Sequence, residues 1–376
     1  MAFFESENSL VEIDLSAISY NLRKLYLITH PKGCKLMPIV KSDAYGHGLL
    51  EVTKELLKHD IWGLGIYELE EAAILRQAGI GEQIFLLSGL LNGDAKRAIE
   101  LDLTIGIVAK RELCELNLAA KALSKRVNVH LKVDTGMGRF GLLPNDIFDV
   151  ITSRSKWPYL NIEGLYSHFS CADDEKSPQN IKQLRLFKTI LRDLKGHGFI
   201  PRFIHMANSA AIFNFKESLF NLARPGIAIY GAYKRDNLGD ILRPALSFSS
   251  KVVDIKELSK GSGISYGHTT YLKRDSKVAL VPVGYDNGFL RALSNRADVL
   301  IKGKRCKVLG AICMKTIIVD VTHVSDVEIG ERVTLIGEER GNEMSVVELA
   351  DRAGTISYEL LCLIGKLNRR RFVKSR

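Results

Sequence analysis

A lysine at the end of an apolar run is the first residue of this chain whose position suggests chemistry. The run KLMPIV ends at Lys41, and the turn SDAYGHG that follows carries Asp43, Tyr45 and His47 between small residues. Because burial penalises the ammonium form, such a lysine either extends its amine to solvent or has a chemical role. The role that fits is a Schiff base with the carbonyl group of a cofactor. Lys41 by itself leaves both interpretations open.

Arg139 lies in a glycine-rich turn, within LKVDTGMGRFG, that follows another apolar run. Flanking glycines let the backbone approach a ligand closely, and a planar guanidinium group pairs well with a carboxylate. An ordinary loop with a solvated arginine would show the same pattern. The turn is therefore a candidate carboxylate site.

His168, within LYSHFSCADD, can be interpreted as a base, a metal ligand or a core histidine. For a single histidine the core interpretation is the commonest. No carboxylate–histidine spacing nearby calls for a metal, and we expect no metal site.

Two segments near the seventh and eighth apolar runs have features that favour an anion. In HMANSAAIF, Asn208 or Ser209 at a helix start would leave free backbone N–H groups. In LARPGIAIYG, Arg224 precedes Gly226, which can open further N–H groups. Barrels often bind phosphate after these two strands. N-caps of this kind are also common without a ligand, so each segment alone is a weak signal.

These residues follow short apolar runs that alternate with longer amphipathic segments, a rhythm that predicts parallel strands joined by helices. Eight βα units over about 220 residues fit a closed (β/α)8 TIM barrel better than an open doubly wound sheet, which remains an alternative. Lys41, Arg139, His168, Asn208 and Arg224 lie at the ends of runs, where a barrel collects its active site. The predicted strands are 35–41, 62–67, 83–89, 103–108, 127–134, 162–170, 203–209 and 226–231.

The second half of the chain predicts a separate, mostly antiparallel β domain. Closely spaced alternating runs follow Tyr233, divided by glycine-rich turns and with little helix between them. We place the barrel at 11–237 and the β domain at 238–376, and expect residues 1–10 to pack on the β domain. Three of its segments have ordinary interpretations when taken alone: GISYGHTTY and PVGYDNGF as hairpin turns, and AICMKT as a strand.

Composition argues against a nucleic-acid or membrane partner. The 53 basic and 43 acidic residues leave a charge of +10, but no long basic tract occurs apart from the terminal LNRRRFVKSR. The N-terminus lacks the basic and apolar parts of a signal peptide, and no run approaches the roughly 18 apolar residues of a membrane span. Six scattered cysteines include no C-x-x-C pair, which argues against a disulfide framework or a zinc site. We expect a cytoplasmic protein.

The order of the motifs along the chain is its most specific feature. VKSDAYGHG, VDTGMGRFG, EGLYSHFSCAD, HMANSAA, RPGIAIYG, ISYG, PVGY, LSNRADVLIKG and ICM span about Val11 to about Leu361. In this order and spacing they resemble the alanine racemase family of pyridoxal-phosphate enzymes. The resemblance implies a barrel followed by a β domain, and a homodimer whose active sites contain residues of both subunits.

The resemblance also implies roles for particular residues. Lys41 would hold pyridoxal 5'-phosphate as a Schiff base. Arg224 would face the pyridine nitrogen, with His168 near the ring and bonded to this arginine. Arg139 would hold the substrate carboxylate, and Lys132 matches a lysine that the family often carries as a carbamate to orient that arginine. The residues implied around the phosphate end are Tyr45, Asn208, Ser209, Gly226, Ile227 and Tyr358.

The implied reaction interconverts L- and D-alanine and supplies D-alanine for peptidoglycan. Racemisation removes a proton from one face of the α-carbon and returns one to the other, so two opposed bases are natural. By resemblance these are Lys41 and Tyr266 of the partner subunit, with the backbone of Met314 of the partner subunit beside the substrate. Arg224 cannot readily protonate the pyridine nitrogen, which makes the cofactor a weaker electron sink and limits transamination.

One departure from the family pattern bears on the substrate. Lys315 and Thr316 stand where the family usually has Asp and Gln, so a positive charge lies near the expected substrate entrance. This charge motivates an alternative, a serine or broad-specificity racemase with the same machinery. A non-catalytic pyridoxal-phosphate-binding protein is less favoured, because such relatives consist of the barrel alone. A barrel-type decarboxylase is a weaker alternative still, since its cysteine-containing substrate motif is missing.

Overall fold

The computed structural model describes residues 8–90, 94–233 and 241–375, which divide into two compact units. The barrel unit comprises the described residues of Asn21–Ala44 and Val52–Ile229. The β unit comprises those of Met1–Tyr20, Tyr45–Glu51 and Tyr230–Arg376. The predicted domain boundary at 237 and most of the stretch 1–10 lie outside the described residues.

The strands are numbered in chain order. Their bounds are β1 Ser9–Asp14, β2 Lys35–Leu36, β3 Leu64–Ile66, β4 Ile84–Leu86, β5 Leu103–Ile107, β6 Val127–Lys132, β7 Leu160–Tyr166, β8 Phe203–Asn208, β9 Leu222–Arg224, β10 Leu246–Lys251, β11 Asp254–Leu258, β12 Gly263–Ile264, β13 Thr270–Tyr271, β14 Ser276–Val281, β15 Asp298–Ile301, β16 Lys304–Leu309, β17 Ile317–Asp320, β18 Arg332–Glu339, β19 Asn342–Met344 and β20 Arg370–Val373.

The α-helices alternate with the strands in the first half and are few in the second. Proline at the first helical position begins two of them, because it lacks the N–H that a helix start leaves unbonded. Their bounds are Leu15–Thr29, Leu49–Leu56, Leu69–Gln77, Asp94–Glu100, Lys110–Ala122, Pro144–Thr152, Pro178–Gly196, Ser209–Asn214, Val346–Ala353 and Ser357–Leu367.

In the described part of the barrel unit, eight parallel strands form one sheet in the order β2–β9–β8–β7–β6–β5–β4–β3. The two edges of this sheet meet, because Ile39, just after β2, forms a parallel bridge with Gly65 of β3. The N–H of Gly65 donates to Pro38 O (2.8 Å), and the N–H of Val40 donates to Gly65 O (2.9 Å). The sheet is therefore closed, and the predicted (β/α)8 TIM barrel is confirmed.

The predicted eighth strand is wrong in position. Segment 226–231 contains a 3-10 helix, Ile227–Tyr230, and the strand that completes the barrel is β9, which ends at Arg224. Pro225 follows directly and has no N–H to continue a ladder. A short apolar run does not distinguish strand from helix by periodicity, which explains the error. Each of the other seven predicted runs overlaps a strand.

A layer of buried aromatic and imidazole rings fills part of the barrel interior. The rings of Tyr166 and His205 are parallel at 4.7 Å, and the ring of His130 stacks on Phe203 at 5.5 Å. Gly164 of β7 is the register partner of His130 on β6. A Cβ at Gly164 would lie 2.2 Å from Cγ of His130, so glycine leaves the space that this imidazole fills.

The β unit is built on a ten-stranded sheet in its described part. The strand order is β11–β14–β17–β16–β15–β18–β10–β1–β20, with β19 paired to β18. All of these pairs are antiparallel except that of β1 with β20. The predicted mostly antiparallel β domain is confirmed, and β1 near the N-terminus belongs to its sheet.

Candidate active site

Lys41 follows the bridge that closes the barrel and begins a left-handed turn. The four residues after it, 42–45, have φ between 53° and 55°. L-residues in this conformation cost on the order of 1–2 kcal/mol each, so the surroundings must hold the turn. The buried carboxylate of Glu71 does so, accepting from the N–H of Ser42 and from that of Tyr67 (2.9 Å). Nζ of Lys41 lies 5.2 Å from the centroid of the Tyr67 ring.

Arg224, the last residue of β9, is 4% exposed and is bound by uncharged acceptors. Its guanidinium donates to Nδ1 of His205 (2.7 Å), to the carbonyl of Ser167 (2.6 Å) and to Nδ1 of His168 (3.2 Å). Burial lowers the pKa of Arg224 to about 10, so the side chain still carries its charge at neutral pH. The barrel thus holds a fixed, desolvated cation at this position.

Further basic groups surround this cation. Lys132, the last residue of β6, is 7% exposed, and its Nζ lies 5.7 Å from the ring centroids of Tyr166 and Phe140. Burial, followed by the charges of Arg224 and Arg139, lowers the pKa of Lys132 to about 7. Burial, followed by the charges of Arg224 and Lys132, keeps the pKa of His168 well below its ordinary value. The group is electropositive and suited to anions.

Arg139 is presented by a loop that Asp134 holds in shape. The carboxylate of Asp134 accepts from the N–H groups of Gly136 (2.8 Å), Met137 (2.8 Å) and Gly138 (2.9 Å). Gly136 and Gly138 have φ of 126° and 68°, a region that residues with a Cβ rarely adopt. The side chain of Arg139 is exposed at the tip of this loop.

Ser209 joins the ends of β8 and β9. Oδ1 of Asn208 accepts from the N–H of Ala211 (3.0 Å) and caps the helix Ser209–Asn214. Oγ of Ser209 accepts from the N–H of Gly226 (2.9 Å) and from that of Ala228 (3.2 Å). A hydroxyl that accepts two bonds keeps its own proton to donate, which suits a phosphate oxygen. Ile227, between these two N–H groups, is 1% exposed.

In the β unit, Tyr45 is 8% exposed and lies among other rings. Its centroid is 5.9 Å from that of Tyr358 and 5.0 Å from that of Tyr230. Burial raises the pKa of Tyr45, so its phenol is a neutral hydrogen-bond donor. Close packing holds the segment in place, since a Cβ at Gly46 would lie 2.3 Å from the carbonyl oxygen of Leu361.

Three side chains of the β unit that the motifs single out are exposed. Tyr266 is 74% exposed and Met314 is 56% exposed. Lys315, also exposed, forms an ion pair with Asp286, whose N–H donates to the carbonyl of Met314 (3.1 Å). The motifs PVGYDNGF and ICMKT are therefore neighbours, and Asp286 neutralises the lysine that departs from the family pattern.

The motifs leave out His130 and Glu71, and they contain His205 without giving it a role, although these side chains support Arg224 and the turn after Lys41. One sequence signal could have found His130. It lies two residues before Lys132 in β6, and residues spaced by two share a face of a strand. Among the described residues, no group of three or more His, Cys, Asp and Glu side chains could hold a metal ion. None of the described helices is long and apolar enough to span a membrane.

Comparison with known proteins agrees with this architecture. Residues 13–234 match the family described as alanine racemase, N-terminal domain, and residues 245–372 match alanine racemase, C-terminal domain. An alanine racemase of Citrifermentans bemidjiense is 37% identical over 376 residues, covering 98% of this chain and 99% of the relative.

Solved structures of similar sequence have the same fold. The alanine racemase of D-cycloserine-producing Streptomyces lavendulae has a TM-score of 0.92 and 32% identity, with 98% of each chain covered. That of Bartonella henselae, with covalently bound pyridoxal phosphate, has a TM-score of 0.87 and 26% identity, covering 97% of this chain and 99% of the other. With both family domains matched in order and relatives similar over nearly their whole length, this chain belongs to the alanine racemase family.

Proposed function

We propose that this protein is a pyridoxal-phosphate-dependent alanine racemase that interconverts L- and D-alanine and supplies D-alanine for peptidoglycan. The observation that carries the proposal is the electropositive group at the strand ends of the barrel, with Lys41 beside it. Among the described residues, the hydrogen-bond partners of its buried, charged member Arg224 include the uncharged acceptors His205, Ser167 and His168, so its charge is available to a ligand. The names of the relatives support the same activity.

The residues fit the cofactor chemically. Lys41 would hold it covalently, as the relative from Bartonella henselae is described with covalently bound pyridoxal phosphate. The hydroxyl of Ser209 and the backbone at Gly226 and Ile227 would bind its phosphate, and Asn208 would keep this segment in place. Tyr45 and Tyr358 would supply phenol donors to the same group. When bound, the cofactor withdraws electrons from the α-carbon of the amino acid and makes its proton acidic.

The remaining steps belong to side chains of the protein. Arg139 would hold the substrate carboxylate through its planar fork. Lys41 would move a proton at one face of the α-carbon, and Tyr266 of the partner subunit would move one at the other. The exposure of Tyr266 and Met314 in this chain supports a role toward a partner subunit, and therefore a homodimer with shared sites.

Lys132 is proposed to be carbamylated. The reaction forms a bond from the neutral lysine nitrogen to the carbon of CO₂ and releases one proton. A pKa of about 7 leaves about half of the amine neutral at pH 7, and the cations Arg224 and Arg139 would stabilise the anionic product. The carbamate would then hold Arg139 in position.

The cellular location is inferred to be the cytoplasm. The six cysteines of the chain are free thiols, the state that a reducing compartment maintains.

The test is an assay of purified holoenzyme with each enantiomer of alanine and serine, combined with an absorbance spectrum. We expect the yellow absorbance of the bound cofactor and loss of optical activity from L-alanine; a colourless protein or unchanged L-alanine would refute the proposal. Because Asp286 neutralises Lys315, the charge that motivates a serine or broad-specificity racemase is compensated. We therefore expect alanine to have the highest kcat/KM in the panel.

A further inference from the structure

A chain of buried polar side chains extends from Arg224 through the barrel toward its opposite end. Arg224 donates to Nδ1 of His205 (2.7 Å), and Nε2 of His205 lies 2.8 Å from Nδ1 of His130. Nε2 of His130 lies 3.6 Å from Oε1 of Glu163. His205 and His130 are fully buried, and Glu163 is 7% exposed.

Arg224 determines which ring nitrogens of His205 and His130 carry protons. A guanidinium group only donates, so Nδ1 of His205 must be an unprotonated acceptor. Burial lowers the pKa of both His205 and His130, so each imidazole is neutral. His205 then carries its proton on Nε2 and donates it to Nδ1 of His130. His130 in turn carries its proton on Nε2, which points to Glu163.

The packing fixes both rings in this arrangement. Tyr166 stacks on His205 at 4.7 Å, Phe203 stacks on His130 at 5.5 Å, and Gly164 leaves the space beside His130. Within the described residues, neither Nε2 of His130 nor Oε1 of Glu163 has a hydrogen-bond partner. Each is therefore available to the other at the end of the chain.

The outer end of the chain lies at the opposite mouth of the barrel from Lys41 and Arg224. Glu163 lines a cavity of about 510 Å³ together with Asn128 and Phe203, which are at or near the starts of β6 and β8. Its Oε2 is 3.8 Å from the guanidinium of Arg202, a side chain that is 76% exposed. The carboxylate thus places a negative charge at one end of a chain whose other end is the positive Arg224.

We propose that Glu163 is a distant counter-ion of Arg224, acting through His130 and His205, and that it is a positioning residue for the racemase reaction. The donors of the two hydrogen bonds point the same way, from Arg224 toward Glu163, so the first bond polarises the second. The carboxylate of Glu163, 3.6 Å from Nε2 of His130, adds its negative charge at the end of this series. Glu163 thereby favours the charged form of an arginine that has no carboxylate among its bonded partners described above. This inference rests on the proposed function, in which Arg224 faces the cofactor ring.

The first experiment reads the protons directly in the wild-type holoenzyme. With histidine labelled by ¹⁵N, we expect His205 and His130 to be neutral and protonated on Nε2, with a scalar coupling across the N–H···N hydrogen bond between them. A proton on Nδ1 of either ring would overturn the proposal. The spectrum can be read whether or not the protein racemises alanine, so its outcome is separate from that of the proposed function.

The second experiment removes the negative charge of Glu163. In Glu163→Gln we expect kcat to fall about tenfold, the lower end of the range for the outer hydrogen-bond partners of metal-binding histidines, with KM within about twofold. The Nε2 proton of His130 should also shift upfield, because a neutral amide replaces the carboxylate. Unchanged kcat in a folded Glu163→Gln enzyme would overturn the positioning role.

Arg202→Gln is the matched control. This substitution removes the positive charge of Arg202 beside Glu163 at the same cavity. Arg202 is not one of the side chains that link Glu163 to Arg224, so kcat and the His130 signal should remain as in wild type. Glu163→Asp retains the charge and should keep most of kcat. If Glu163→Gln does not fold, the Nε2 proton of His130 decides, because the shorter Asp side chain moves the carboxylate away from it. A shift of that proton confined to Glu163→Asp would support the proposal, and equal shifts in Glu163→Asp and Arg202→Gln would overturn it.

Discussion

Replacing Gly164 by alanine tests the space on which the buried imidazole layer depends. The new Cβ would lie 2.2 Å from Cγ and 2.4 Å from Cδ2 of His130, whereas an ordinary contact needs at least 3.4 Å. The His130 ring is fully buried between Phe85 and Phe203 and cannot turn out to solvent. Overpacking of this kind costs about 1–3 kcal/mol, and displacing His130 from His205 loses a hydrogen bond of about 1 kcal/mol.

The combined cost of roughly 2–4 kcal/mol converts to a fall in Tm of roughly 5–15 °C for a unit of this size. Both tryptophans, Trp62 and Trp157, lie in the barrel unit, so thermal unfolding followed by tryptophan fluorescence reports on that unit.

Gly196→Ala is the control, since nothing lies within 4 Å of a Cβ at this helical position. It should leave Tm unchanged or raise it by a few degrees, because alanine favours helix by about 0.5–1 kcal/mol. A Gly164→Ala protein that melts within about 1 °C of Gly196→Ala would refute the packing argument.

Three further predictions concern the site. At fixed dissolved ¹³CO₂, the ratio of carbamylated to free Lys132, read from the ¹³C carbamate signal, should rise about a hundredfold per pH unit below pH 7 and about tenfold per pH unit above it. Carbamylation releases one proton, and below the lowered pKa of about 7 the lysine must lose a second proton before it reacts. Lys132→Met should show none of the signal, and a hundredfold rise per unit that continues above pH 8 would contradict the lowered pKa. Asn208→Ala should lower Tm by roughly 2–4 °C through loss of a cap of about 1 kcal/mol, while Asn208→Asp should melt like wild type. Asp286→Asn should leave Tm within about 2 °C of wild type, as expected when an exposed ion pair is lost. Because the substitution frees the charge of Lys315, it should raise the ratio of kcat/KM for glutamate to kcat/KM for alanine several-fold at low salt. An unchanged ratio would place Lys315 away from the substrate path.

Much of the barrel follows from local pattern. Seven of the predicted runs overlap strands because β-branched and apolar residues in short runs, separated by helix-length crossovers, leave few other folds. The eighth was misplaced because Pro225, rather than hydrophobicity, ends the strand at Arg224. The left-handed turn after Lys41 has no local signal, since Ser, Asp, Ala and Tyr all prefer other conformations. The buried carboxylate of Glu71 holds it from a distant part of the chain.

The sequence by itself determined the fold class and the set of chemically capable residues, because periodicity and motif order are properties of the chain alone. Only the tertiary structure decided how those residues are charged and held. Burial and neighbouring cations lower the pKa of Lys132 to about 7. Burial lowers the pKa of Arg224 only to about 10, so this arginine stays charged among uncharged acceptors. The link from Arg224 through two histidines to Glu163 likewise requires strands β6, β7, β8 and β9 to lie side by side in a closed sheet. Distances between strands are set by that closure, and no spacing along the chain encodes them.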